Sequence, residues 1–302
     1  MTLLIRTTRT YKRVGDLDLE ADVYANDERL SGEPVVVWLH GGALIMEHRD
    51  TVPPWLLEAC SEKGWALVSI DYRLAPETKL PEIVADVEDA FGWLGGTGPE
   101  PSPGEPGPIA AIGGSAGGYL SLVTGFRVRP RPAAIVSLWG YGDLVGEWYS
   151  RPSPHPVHHE IVMSREEALR QVSGPPVADD RRRAGDGYAF YQHCRQHGLW
   201  PKAVTGWDPD RDRDRFGPFM PVENVAADHP PTLLVHGTED TDVPHDRSVE
   251  MAAAMRANGV EHRLISVEGA EHGLDGADDR TVDEVLAEVV AFLELHLRPT
   301  TT

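Results

Sequence analysis

Two kinds of hydrophobic pattern alternate along the chain. Short, unbroken apolar runs such as "PVVVWLH" (Pro34 to His40) and "WALVSIDYR" (Trp65 to Arg73) predict strands buried on both faces. Between them, "PPWLLEACSEKG" opens on proline and closes on Gly64, as a helix does. In "LPEIVADVEDAFGWLGG" the apolar residues Leu80, Ile83, Val84, Val87, Phe91 and Leu94 form the stripe of an amphipathic helix lying on a sheet. Thr97 to Pro108 is a loop by composition, and a strand from Ile109, a helix from about Ala116 and a strand from Ala133 follow. The alternation resumes with strand "PTLLVHG" (Pro231 to Gly237), helix "SVEMAAAMRANG", strand "HRLISVEG" and helix "TVDEVLAEVVAFLELHL". Strands alternating with helices predict an α/β fold, a mostly parallel central sheet with helices on both faces. The polar/apolar alternation of "YKRVGDLDLEADVYA" suits antiparallel edge strands added to that sheet.

The pattern breaks from Tyr141 to His229, where histidine-rich and proline-rich pieces surround a helix "SREEALRQV" with Ser164 and Glu167 as a capping box, and a second around "GYAFYQHCRQHG". The expectation is a single domain over 1–302 with a helical cap, 141–229, inserted into it. The charge run Asp208 to Arg215 reads as a solvated loop within the cap.

Charge narrows the choice of partner. With 302 residues and a formal net charge of -20, the chain would be repelled by phosphate backbones and anionic lipid, so neither nucleic acid nor a membrane surface is expected as a partner. No apolar run is long enough to span a bilayer, and "MTLLIRTTRTYKRVG" reverses the order of a secretory signal, so a cytoplasmic location is expected. Cys60 and Cys194 read as buried free thiols, with no zinc-type spacing.

The chemistry concentrates in "IAAIGGSAGGYLSLVTGF". Gly113-Gly114-Ser115-Ala116-Gly117 fits G-x-S-x-G where a predicted strand turns into a predicted helix. Glycines there permit a sharp elbow that exposes the Ser115 hydroxyl, and the new helix points its unpaired N–H groups at the site. The stretch lacks the lysine of a phosphate-binding loop, and Ser115 stands where a dinucleotide fingerprint needs glycine.

A serine hydroxyl needs a base, and the base needs an acid to hold its tautomer. "VHGTEDTDVPHDRS" and "VEGAEHGL" each leave a buried strand at the same edge of the sheet as Ser115. They offer Asp240 as the acid, with Asp242 in reserve as an alternative acid or a helix cap near Pro244, and His272 as the base. Of the 13 histidines, His236 reads as structural; His155, His158 and His159 resemble a metal cluster on paper but lack a partnering carboxylate pattern, and no metal or cofactor is expected. Glu239 and Glu271 read as surface or supporting groups. "HGGALIM" supplies backbone N–H groups after a central strand: Gly42 and Ala43, with Ala116 beside the nucleophile, are the expected oxyanion donors. Leu44 and Tyr141 are the candidate substrate contacts, beside Ile45 and Met46; Trp139, Trp148, Tyr188 and Trp200 either line a pocket or pack the cap.

Taken together, "HGGA", "DYRLAPE", "GGSAGGYL", "HGTEDTDVP" and "EHG" resemble the α/β-hydrolase superfamily, and most nearly its hormone-sensitive-lipase-like serine esterases. That resemblance implies hydrolysis of small or medium acyl esters through an acyl-enzyme without a cofactor, a structural role for "DYRLAPE", and a homodimer contact through the terminal strand and helix in many members. Two positions depart from the pattern: Ala43 replaces the usual third glycine, and Gly114 replaces the usual acid before the nucleophile. "HGTEDTDVP" is also similar to the acid loop of dipeptidyl-peptidase-like and feruloyl-esterase-like hydrolases, which makes amide or peptide hydrolysis the alternative. A catalytically dead ligand receptor is the third reading, and it would normally lack one of the three side chains.

Overall fold

The computed structural model describes residues 4–298, so the extreme ends of the expected 1–302 domain lie outside the described residues. Apart from a two-residue pair, Leu30–Ser31 with Gly104–Glu105, its strands in chain order are β1 (Ile5–Val14), β2 (Leu17–Ala25), β3 (Val35–Leu39), β4 (Ala66–Ile70), β5 (Ile109–Gly114), β6 (Ala134–Leu138), β7 (Thr232–Gly237) and β8 (His262–Val267). They form one eight-stranded sheet in the spatial order β1-β2-β4-β3-β5-β6-β7-β8. β1 pairs antiparallel with β2, and β2 antiparallel with β4, while every pairing from β4 to β8 is parallel.

Strand alternation sorts the core into two layers. Val35, Val37 and Leu39 of β3 face one apolar cluster, together with α2 (Leu80–Leu94) and α3 (Ala116–Arg127). Val36 and Trp38 face the other, with Leu56 and Cys60 of α1 (Pro54–Lys63) and Val289 and Leu293 of α10 (Asp279–His296). A strand apolar at every position is thus the signature of helices on both faces, because successive side chains point to opposite sides.

Between β6 and β7, residues 141–229 contain helices and turns but no strand among the described residues. The helices are α4 (Glu147–Ser150), α5 (Arg165–Gln171), α6 (Gly187–His197), α7 (Trp200–Thr205) and α8 (Arg213–Phe216). Ser164 accepts from the Glu167 N–H while the Glu167 carboxylate accepts from the Ser164 N–H, so both ends of that capping box are made. The segment folds back on the sheet's rim: Trp200 Nε1 donates to the Ala43 carbonyl (2.9 Å), Arg183 to the Ile45 carbonyl (2.6 Å), and Lys79 to the Ala203 carbonyl (2.7 Å). Its Tyr149, Trp200 and Phe216 belong to the same apolar cluster as α2 and α3. The last internal helix, α9 (Asp246–Ala257), covers β7 and β8.

Candidate active site

Ser115 sits between β5 and α3 with φ 54° and ψ -118°, a left-handed conformation that costs a non-glycine residue roughly 1–3 kcal/mol. Packing over-determines it. A side chain at Gly117 would collide with the Leu39 and His40 carbonyls, and one at Gly113 with Gly117 itself, so glycine at both positions lets α3 start against the end of β3. The Ser115 N–H donates to the Leu138 carbonyl (2.9 Å), fixing the elbow to β6. At Gly114, one of the two departures from the resemblance, an added Cβ would lie 3.2 Å from Trp139 Nε1, so the Trp139 indole packs directly against this position.

The loop after β3 turns its backbone unusually. Gly42 has φ 78°, Ala43 55°, Leu44 62° and Glu47 72°. Gly42 and Ala43 open a one-turn helix and Ala116 is the first residue of α3, positions whose N–H groups have no intrahelical carbonyl to reach. The loop's carbonyls are engaged elsewhere: Gly42 accepts from Ile45 and Met46, Ala43 from Trp200, and His40 and Gly41 both from the Tyr72 hydroxyl (2.9 and 3.0 Å). Tyr72 also stacks on the His40 ring at 4.0 Å, and burial holds His40 down to about 3, so it stays neutral. Gly41 N–H donates to Glu47 Oε2 (3.1 Å), and burial raises the Glu47 carboxyl above its usual range despite that bond. The second departure, Ala43, keeps a backbone N–H and so loses no donor.

The loops leaving β7 and β8 bring an acid to a base. His272 Nδ1 lies 2.8 Å from Asp240 Oδ2, while Asp240 Oδ1 accepts from the N–H groups of Asp242 (2.9 Å) and Val243 (2.7 Å). His236 Nε2 stands 3.2 Å from the same carboxylate, and its other nitrogen bonds Ser248 (2.7 Å). Burial pushes Asp240 up, but the hydrogen bonds from His236 and His272 outweigh it and hold the carboxyl below its ordinary value. For His272, burial pushes down, whereas the Asp240 hydrogen bond and the charges of Asp242 and Asp240 lift it above 6.5.

Ser115, His272, Gly42 and Ala43 line one cavity of about 380 Å³, walled by Trp38, Trp139, Tyr188 and Tyr191. A family model described as the alpha/beta hydrolase fold matches residues 36–275.

The chain belongs to the alpha/beta hydrolase family.

Solved structures similar to this alpha/beta hydrolase include an alpha/beta hydrolase superfamily protein from Enterococcus faecalis (21% identity, 96% of this chain and 99% of that one, TM-score 0.73). Esterase LipW from Mycobacterium marinum (21%, covering 98% and 83%, TM-score 0.66) and an esterase from Pyrobaculum calidifontis (21%, covering 97% and 84%, TM-score 0.66) share the fold. Among curated proteins it is similar to the non-reducing polyketide synthases Preu3 of Preussia isomera (26% identity over 91% of the chain) and prhL of Penicillium brasilianum (28% over 96%). The hydrolase spans only 13% and 14% of the length of those two.

Several side chains fall elsewhere than expected. Leu44 and Tyr141 do not line the cavity: both are fully buried, Leu44 in the apolar cluster beneath the loop and Tyr141 among the rings of Tyr119, Trp148, Tyr149 and Trp200. Of the five aromatic rings weighed in the sequence, Trp139 and Tyr188 face the cavity. Asp242 caps no helix, since α9 begins at Asp246 with no side-chain cap. Its Oδ1 instead accepts from Tyr191 (2.5 Å) and Arg195 (2.5 Å) of α6 and meets His158 Nε2 (2.8 Å), while Oδ2 stands 3.7 Å from His272 Nε2. His158 completes its ring bonding through Ser153 (2.6 Å), and His159 bonds the Ser153 carbonyl, so two rings of the histidine triplet are spent on hydrogen bonds, while the His155 ring packs edge-on against His158. Among the described residues the grouping able to converge on a cation is His48, Asp179 and Asp180, which is not part of the cavity lining and whose Asp179 already holds Arg181 (2.6 Å). Tyr72, Glu47, His158, Tyr191 and Arg195 had no site role in the sequence reading. Tyr72 carried a signal inside "DYRLAPE" and His158 one inside the histidine triplet, though for a metal; Glu47, Tyr191 and Arg195 are joined to the site only by the fold.

Proposed function

We propose that this alpha/beta hydrolase is a serine carboxylesterase acting on small or medium acyl esters. The observation that carries the reading is the His272–Asp240 pair opening on the same cavity as the strained Ser115 elbow and the Gly42–Ala43 turn. Ser115 Oγ attacks the ester carbonyl while His272 Nε2 takes its proton; Asp240, on Nδ1, fixes the tautomer and stabilises the imidazolium. The carbonyl oxygen, now an anion, is met by the N–H groups of Gly42, Ala43 and Ala116. Collapse of the tetrahedral intermediate breaks the bond to the alcohol oxygen, which leaves with the proton from His272. Water, deprotonated by the same nitrogen, then adds to the acyl carbon, and the bond to Ser115 Oγ breaks as that oxygen takes the proton back from His272, releasing the acid. The sequence as drawn calls on no cofactor.

Hydrolysis of p-nitrophenyl esters of graded chain length, with Ser115→Ala beside the natural chain, tests the reading. Turnover that vanishes in the variant, together with labelling of Ser115 by a fluorophosphonate, is the expected result. Ester turnover untouched by Ser115→Ala would refute it, and an unlabelled Ser115 with no turnover would favour the receptor. Aryl amides cleaved as readily as the matching esters would move the assignment to amide hydrolysis.

A further inference from the structure

A second cavity, of about 570 Å³, adjoins the first and shares Tyr188, Tyr191, Asp242 and His272 with it. Its remaining charged lining is Glu271 and Asp275, and Glu47 lines the first cavity. No lysine or arginine is among the described residues lining either one. Asp242 is ion-paired with the buried Arg195, and all three donors to its side chain fall on Oδ1, leaving Oδ2 toward His272. Glu271 accepts only from the Thr241 N–H and hydroxyl (both 2.9 Å), and neither it nor Asp275 has an ion-pair partner among the described residues. Burial keeps His158 below its ordinary value, against the hydrogen bond to Asp242 that raises it. Tyr188, 37% exposed, lines both cavities.

Glu271 and Asp275, which have no ion-pair partner among the described residues, attract a positively charged group beside the Tyr188 ring and repel a negative one, while Asp242 is already paired with Arg195. Direction follows from the chemistry: the departing alcohol takes its proton from His272 Nε2, so it leaves past the imidazole, toward the space His272 shares with the second cavity. We propose that the alcohol portion of the substrate carries a positive charge, an alkylammonium group seated between Tyr188, Asp242, Glu271 and Asp275. This rests on the esterase reading for which end of the substrate lies there, but the attraction for a cation does not.

The test compares butyrate esters of one shape: choline butyrate, its uncharged isostere 3,3-dimethylbutyl butyrate, and a similarly sized ester carrying a carboxylate on the alcohol. We expect kcat/KM for the choline ester to exceed the neutral one by about tenfold or more at low ionic strength, with the carboxylate ester poorest. The advantage should shrink as NaCl rises to about 0.5 M, because screening acts on the charge and not on the shape. Glu271→Gln with Asp275→Asn should cut the choline-to-neutral ratio at least about threefold, a ratio in which any loss common to both esters cancels. Equal kcat/KM for the cationic and neutral esters in the natural chain, or preference for the carboxylate ester, would overturn the proposal, and neither needs a variant to fold. If no ester shows Ser115-dependent turnover, the esterase reading fails by itself. Calorimetric titration of the natural chain with tetramethylammonium then decides: salt-sensitive binding supports the cation site, and absence of binding overturns it.

Discussion

The strand-end rim and the helical segment 141–229 wall one cavity but are built differently. On the rim Ser115 is fixed by its backbone elbow and Asp240 by two N–H groups of its own turn, whereas the Gly42 turn is held by side chains from farther along the chain, Tyr72 and, from the helical segment itself, Trp200. The helical segment reaches the site through side chains, with His158, Tyr191 and Arg195 converging on Asp242. The difference teaches a division of labour: bond-making groups stand on short, rigid strand exits, while the segment supplies walls and charge that adjust them.

Substitutions can break that comparison. The largest effect belongs to Ser115→Ala, expected to lower kcat by up to about a millionfold, measured with an activated ester. Asp240→Asn should follow at about 10⁴-fold, since the imidazole loses the group that sets its tautomer. Asp242→Asn is expected to cost only about tenfold or less in kcat, and its signature is pH. His272 must be unprotonated to act as base, so kcat/KM rises as pH passes its raised value; removing Asp242 takes away one of the charges that raise it, and the acid limb should move to lower pH. Arg195→Gln should move that limb the opposite way, because the guanidinium lowers His272. If the two variants shift the pH profile alike, or not at all, the segment does not tune the base. Smallest is Tyr72→Phe, which releases the His40 and Gly41 carbonyls and should lower kcat several-fold, up to about tenfold, with KM little changed. An effect on KM alone would mean that Tyr72 does not hold the oxyanion loop.

Much of the fold was legible because its signals are local. Apolar runs such as "PVVVWLH" become β3 with side chains buried on both faces, and the stripe from Leu80 to Leu94 becomes α2. G-x-S-x-G between a strand and a helix marked the elbow, since the two glycines are demanded by backbone contact within a few residues and with the neighbouring strand. The acid was harder: Asp240 and Asp242 are two residues apart in one loop, and only the turn that closes on Asp240 Oδ1 decides which of them reaches His272 Nδ1. Leu44 and Tyr141 show where local reading fails. Each sits next to a site motif, but the left-handed turn at 42–44 and the stack of Tyr149 on Trp200 rotate them into the core.

The sequence by itself therefore determined the sheet, its covering helices and the three segments that carry the chemistry, because hydrophobic period and glycine sterics act over neighbouring residues. Tertiary structure alone decided that Trp139 takes the space beside Gly114, that His158, Tyr191 and Arg195 grip Asp242, and that two acidic cavities meet at His272. Those contacts join residues up to 84 positions apart, as in His158 with Asp242, and their formation depends on how the whole helical segment packs against the rim.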